Sequence, residues 1–158
     1  MNDDTCTECG ASVVGGRDGC QATFDEFAAR AFTDIRYAAE YQLAFDTYCM
    51  QHVEPYCRSA KSYAAHLMRL CCGLEHAGDP KIYAAIQLWL SGSVDIERPE
   101  TLVFRGKVTV VDVMAASSIE AYKVLVRDWA NCVWAAYASQ HDDAHHWLSA
   151  AFKTKGKR

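Results

Sequence analysis

The chain opens with Cys6-Thr7-Glu8-Cys9-Gly10, and a third cysteine, Cys20, follows where the first helical pattern begins. Two thiols separated by two residues, on a turn that Gly10 releases, can point at one tetrahedral ion, and a third nearly completes the shell. Zinc is the metal such a donor set suits. The fourth donor has to come from the fold. If a first helix starts at Cys20 and a second runs back antiparallel to it, the end of the second returns beside Cys20. His52 ends that second helix. Cys6, Cys9, Cys20 and His52 are therefore the expected Cys3His set, closed by four protein ligands, which is the pattern of a structural site. The competing use of a Cys-x-x-Cys pair, thiol-disulfide chemistry, follows a strand in a βαβ unit, and none precedes Cys6.

A second group comprises Asp46, His66 and His141, with Arg69 about one turn beyond His66. His66 falls mid-helix on an inward face, where an imidazole is costly unless both ring nitrogens find partners. Two readings stay open. His66 is a core histidine hydrogen-bonded to Asp46 or to a backbone carbonyl, or His66, His141 and a carboxylate converge as a second, open metal site or a general acid-base pair. Arg69 either pairs with Asp46, anchors an anionic ligand or lies solvated at the surface. His145 and His146, near the chain end, are expected to be exposed.

Composition narrows the classes. At 158 residues the chain fits one domain with its own core. A net charge of -4 argues against a general phosphate-binding surface, so no nucleic acid is expected as a partner. No apolar run approaches the roughly 20 residues needed to span a bilayer. Acidic Asn2-Asp3-Asp4 stands where a signal peptide needs a basic and then an apolar stretch, which predicts a cytoplasmic protein with reduced thiols. Cys49, Cys71, Cys72 and Cys132 sit in apolar helical patterns and read as small buried hydrophobes. Trp89, Trp129, Trp134 and Trp147 read as helix-packing residues before pocket lining. Phosphate loops, the Gly-x-Ser-x-Gly elbow and the His-Glu-x-x-His motif are all missing from the sequence.

The elements that must position these groups follow from apolar periodicity. Residues 1–19, with Gly10, Gly15, Gly16 and Gly19, form a loop that a metal would order. Helices are predicted at about 20–33, 38–52, 59–76 and from 80, the last two with Gly78 as C-terminal stop and Asp79-Pro80 as start. A break is expected at 34–37, and Pro55 is expected to stop the second helix. Residues 94–108 read as an extended loop with a short strand at 102–104. Thr109-x-x-Asp112 caps a short helix, the Ser117-x-x-Glu120 capping box opens the longest at about 118–139, and a closing helix runs from about 142 to 152. The basic stretch 153–158 is expected to be a disordered tail. The fold class is all-α: a compact single domain, 1–152, of about five to seven helices with an N-terminal Cys-rich zinc-binding loop.

Three blocks carry a resemblance. They are Cys6-x-x-Cys9-Gly10-Ala11 with Gly19-Cys20; Asp46-x-Tyr48-x-x-Gln51-His52 followed by Ala65-His66-Leu67-x-Arg69-Leu70-Cys71; and Val108-Thr109-Val110-x-Asp112-Val113 with Trp129-Ala130-x-x-Val133-Trp134, leading to His141 and Trp147. Over nearly its whole length the chain resembles an uncharacterised family of small bacterial proteins, a domain of unknown function. It departs from that pattern at Val53, where the family has Pro, and at Tyr41, where His is frequent, which removes one potential ligand. The resemblance implies that the three cysteines, Asp46, His52, His66, Arg69 and His141 form one working set. It implies no activity. The expected function is a zinc-stabilised helical module that binds a protein partner or a small-molecule ligand; the alternative is a small metal-dependent enzyme using Asp46, His66, Arg69 and His141.

Overall fold

In a computed structural model that describes residues 3–155, the chain between the N-terminal loop and the end is carried almost wholly by helices, and there is no strand among the described residues. The order is α1 (Gly16–Thr33), α2 (Ile35–Ala38), α3 (Tyr41–Gln51), α4 (Val53–Tyr56), α5 (Ala60–Glu75), α6 (Pro80–Ser91), α7 (Val110–Met114), α8 (Ile119–Ala136) and α9 (His141–Lys155), with a 3-10 turn at Ala138–Gln140. The long helices make the all-α bundle expected; α2, α4 and α7 are single-turn connectors between them.

α5 is the axis of the bundle and packs against α3, α4, α6, α8 and α9. Its start is set by Ser59, whose hydroxyl accepts from Ser62 N–H while the Ser62 side chain caps back. From there Tyr63, Ala64, Leu67, Met68, Leu70, Cys71 and Cys72 are buried. α8 presents Tyr122, Val126, Trp129, Ala130 and Val133 to the same interior. Removing a side chain of Leu size from water contributes about 1.5–3 kcal/mol, so these two stripes are a large part of what holds the bundle together. Cys49, Cys71 and Cys72 are core residues as expected, whereas Cys132 is only half-buried on the outer flank of α8.

Several boundaries differ from the sequence reading, each for a local reason. α1 begins at Gly16 rather than Cys20; Gly16 itself takes a left-handed φ of +58° and lies against the N-terminal loop, where a Cβ would sit 2.5 Å from the Asp3 carbonyl oxygen. A Cβ on Gly19 would lie 1.9 Å from that of Val14. These glycines are close-approach points that let the loop lie on the helix. The break at 34–37 is a helical turn capped by the Asp34 carboxylate, which accepts from Arg36 N–H. Pro55 lies within α4, a turn that follows His52. α8 is capped by Ser118, not Ser117, since Ser118 has the extended backbone of a cap and accepts from Ala121 N–H. The 102–104 strand does not form. α9 runs to Lys155, into the stretch expected to be disordered; Gly156, Lys157 and Arg158 lie outside the described residues.

The segment between α6 and α7 is irregular, and side chains satisfy its carbonyls in place of a ladder. Gln51 Nε2 donates to the carbonyls of Arg105, Gly106 and Val108, at 3.2, 3.3 and 2.8 Å, while its Oε1 accepts from Trp129 Nε1 at 2.8 Å. Gln140 holds the Glu100 carbonyl. One buried amide thus fixes the loop onto α3 and α8.

Candidate metal centre and inner polar cluster

The N-terminal loop turns tightly at its first two thiols. Cys6 N–H donates to the Ala11 carbonyl and Gly10 N–H to the Cys6 carbonyl, both at 2.8 Å, with Gly10 at φ +78° and an antiparallel bridge between Thr5 and Ser12. Cys20 comes from the second turn of α1, and His52 from the residue that caps α3. The four donor atoms lie within 4.8 Å of one another, close enough to form a metal site. Individual separations are 3.6 Å for Cys6 Sγ to His52 Nε2, 3.4 Å for Cys20 Sγ to His52 Nε2, and 3.7 Å for Cys9 Sγ to Cys20 Sγ. Metal-ligand lengths of about 2.3 Å to sulfur and 2.0–2.1 Å to nitrogen, set at tetrahedral angles, require donor separations of about 3.8 Å between sulfurs and 3.5 Å from sulfur to nitrogen. The donor set fits one ion of zinc size.

The imidazole is oriented for this use. His52 Nδ1 lies 2.8 Å from the Tyr48 carbonyl, and a carbonyl only accepts, so Nδ1 carries the proton and Nε2 turns a lone pair toward the thiols. The Tyr48 ring stacks on the imidazole at 3.8 Å between centroids. Cys6, Cys20 and His52 are buried, and Cys9 is half-buried. Burial raises the Cys6 thiol, but its contact with His52 and the backbone N–H groups of Cys9 and Glu8 outweigh that and lower it. The Cys9 thiol is pushed up to about 12, first by sharing a hydrogen with Cys20 and then by burial. Burial works against a charge on His52, yet the Cys6 and Cys9 contacts hold it up at about 9. Cys9 and His52 thus keep protons near neutrality that a bound ion would have to displace.

The structure joins three of the four inner residues and separates the fourth. Asp46 is fully buried on α3; its Oδ1 accepts from His66 Nδ1 at 2.9 Å and its Oδ2 from Gln42 Nε2 at 2.7 Å, with Arg69 Nε 4.0 Å from Oδ1. This links α3 to α5 and is the hydrogen-bonded histidine of the simpler sequence reading. His141 does not join it. At the start of α9 its ring stacks on Trp134 at 3.8 Å, and Nε2–H donates to the Trp134 carbonyl at 2.7 Å. The convergence of His141 with Asp46 and His66 is therefore not what the fold makes: Trp134, seven residues upstream, captures the imidazole first. His145 and His146 are exposed as expected, with His145 Nε2 against Glu75 at 2.8 Å.

Two site-shaping residues were not apparent from sequence. Glu8, inside the Cys6-x-x-Cys9 turn, has its carbonyl held by Arg105 Nη2 at 2.6 Å and its carboxylate 3.1 Å from the same nitrogen. Both side chains are about nine-tenths buried. A charged residue within the motif was the only sign, since its partner is 97 residues away. Gln51, adjacent to His52, was visible only as part of a motif block. Through these two, the thiol turn and the α6–α7 loop form one surface. A cavity of about 670 Å³ lies on it, with Glu8, Val53, Arg58, Arg98, Val103 and Arg105 in its lining.

A four-donor cluster closing a helical bundle marks a small helical protein with a metal-site geometry at its N-terminus. The chain belongs to the family described as a family of unknown function, DUF5946, whose model matches residues 4–138. The match takes in all four cluster residues, Asp46, His66 and Arg69, and stops short of His141. No curated protein and no solved structure matches the chain. No described helix is long and apolar enough to cross a membrane.

Proposed function

We propose that this protein is a zinc-stabilised helical module that binds a partner or ligand on the surface shared by the thiol turn and the α6–α7 loop. The observation that carries the reading is the closed Cys3His geometry, buried and oriented by the Tyr48 carbonyl, with no donor position left over for a reacting molecule. Zinc held there would neutralise the thiolates and fix the turn. The turn presents Glu8 to Arg105, so the metal's structural effect would extend to a loop otherwise held by Gln51, Gln140 and Arg98. All eight cysteines are unpaired, which suits the reducing cytoplasm.

The second reading, a small metal-dependent enzyme, rests on the Asp46–His66 pair, which leaves His66 Nε2 free to accept a proton. It is the weaker reading, because His141 is engaged elsewhere and the polar pair is accounted for as a link between α3 and α5. Elemental analysis of protein purified without added metal separates the two. The module requires about one zinc per chain, retained in His66→Ala and lost in Cys9→Ser. A second metal lost in His66→Ala would favour the enzyme; unchanged zinc in Cys9→Ser would remove the cysteine assignment.

A further inference from the structure

The surface around the thiol turn carries chemistry that the metal site does not use. The cavity of about 670 Å³ and a second of about 510 Å³ share Thr7, Glu8, Val103 and Arg105, so they form one furrow crossing the Glu8–Arg105 bridge. Its acids are already engaged: Glu8 by Arg105, and Glu54 by Arg17 at 3.2 Å. Of its cations, Arg105 is spent on Glu8 and Arg98 on the Cys57 and Pro99 carbonyls and Thr101, but two others keep charge to spare. Arg58 spends only Nε, on the Glu54 carbonyl, and Lys107 at the far end has no ion pair among the described residues. On a chain of net charge -4, this is a locally positive patch. Apolar groups stand beside it: Val103 is 98% exposed and Phe104 65% exposed, with Leu102 and Val53 in the wall.

The main chain adds a third feature. No backbone N–H of residues 95–108 donates to another described protein group, although Gln51 and Gln140 occupy several of the carbonyls. The loop bends at Val103 and Lys107 and turns through Gly106 at φ +95°, yet its unpaired N–H groups can donate to the carbonyls of a peptide laid along it, while pockets beside it choose the side chains. The furrow's two lobes meet across the Glu8–Arg105 bridge, which suits a segment long enough to occupy both, and its charge selects acidic residues.

We infer that this furrow binds an extended peptide segment of another protein that combines acidic and apolar residues. Its main-chain carbonyls accept from the N–H groups of the 102–107 stretch, its carboxylates lie toward Arg58 and Lys107, and its apolar side chains cover Val103 and Leu102. The Glu8–Arg105 bridge forms the floor. The inference rests on the binding-module reading and names the partner's chemistry.

The test is fluorescence anisotropy with a fluorescein-labelled nonapeptide alternating Glu and Val, beside Lys-Val and Ser-Val peptides of equal length. The expected result is saturable binding of the Glu-Val peptide, weakened at least tenfold by the double change Arg58→Glu, Lys107→Glu and separately by Val103→Asp. All three positions bear exposed or half-exposed side chains outside the helical core, and circular dichroism and zinc content on the same samples should match wild type. Failure of the Glu-Val peptide to bind, equal binding of the Lys-Val peptide, or affinity unchanged by the charge reversal would overturn the inference. Competition by inorganic phosphate as effective as by unlabelled peptide would also overturn it, by reducing the furrow to a bare anion site. Zinc content reports separately: absence of zinc in wild type refutes the metal reading and leaves the binding result to stand on its own.

Discussion

His52 illustrates how one atom decides a site. Its Nδ1–H is committed to the Tyr48 carbonyl, so only Nε2 is available to a metal, and the proton that His52 retains up to about 9 must leave when an ion arrives. The sign follows: protons and metal compete, so occupancy is favoured at higher pH and lost as pH falls. Adding zinc to metal-stripped protein at pH 7 should release protons to a weakly buffered indicator dye, and a chelator should strip more metal at pH 6 than at pH 8. Asp46 behaves differently. It is a buried carboxylate whose partners are His66, Gln42 and Arg69, so Asp46→Ala leaves polar groups stranded between α3 and α5. Removing one partner of a buried pair costs about 3–5 kcal/mol, reduced here to about 3 kcal/mol because Arg69 is partly solvated. Urea denaturation should register that loss with zinc content unchanged.

At the level of elements, the metal centre depends on how closely the N-terminal loop approaches α1. Gly16→Ala places a Cβ against the Asp3 carbonyl at a left-handed φ, at a cost of about 1–3 kcal/mol in local strain. Because the strain falls on the loop and not on the bundle, the variant should lose zinc to a chelator faster than wild type while its thermal midpoint moves only slightly. Gln51 joins three elements through one amide. Gln51→Ala strands Trp129 Nε1 and three loop carbonyls, and an unsatisfied buried group costs about 1–3 kcal/mol. Tryptic cleavage at Arg105 and Lys107 should quicken in that variant, because the loop that carries them is released from α3, with α6 and α9 unaffected.

The whole molecule divides into a bundle of buried apolar stripes and an N-terminal loop, bearing the candidate metal centre, laid over one end. α5, α8 and their neighbours bury continuous apolar stripes, whereas the 3–15 loop has Cys6 and Ala11 as its buried residues and is tied through Cys20, His52 and Arg105. Chelation should therefore give a partial response. Exchange should increase in residues 3–15, and tryptic cleavage at Arg105 and Lys107 should quicken through the loosened Glu8–Arg105 bridge, while helix content by circular dichroism stays close to its starting value. A cooperative loss of all helices on chelation would show instead that the metal holds the core.

The helices were legible because each rests on local physics: apolar spacing on α5 and α8, Asp79-Pro80 at the start of α6, and Thr109 with Asp112 at α7. The Cys3His set was legible because two thiols share a turn and one hairpin brings His52 back to Cys20. The partner of Glu8 was not, since no local pattern pairs residue 8 with residue 105, and the same is true of the three carbonyls that Gln51 gathers. His141 was misplaced for a related reason: its type and position suited an inner cluster, but packing set it on Trp134. Sequence by itself determined the bundle and the donor atoms; only the tertiary structure decided which surface the thiol turn is joined to, because ion pairs and side-chain-to-backbone bonds depend on distances that chain spacing does not encode.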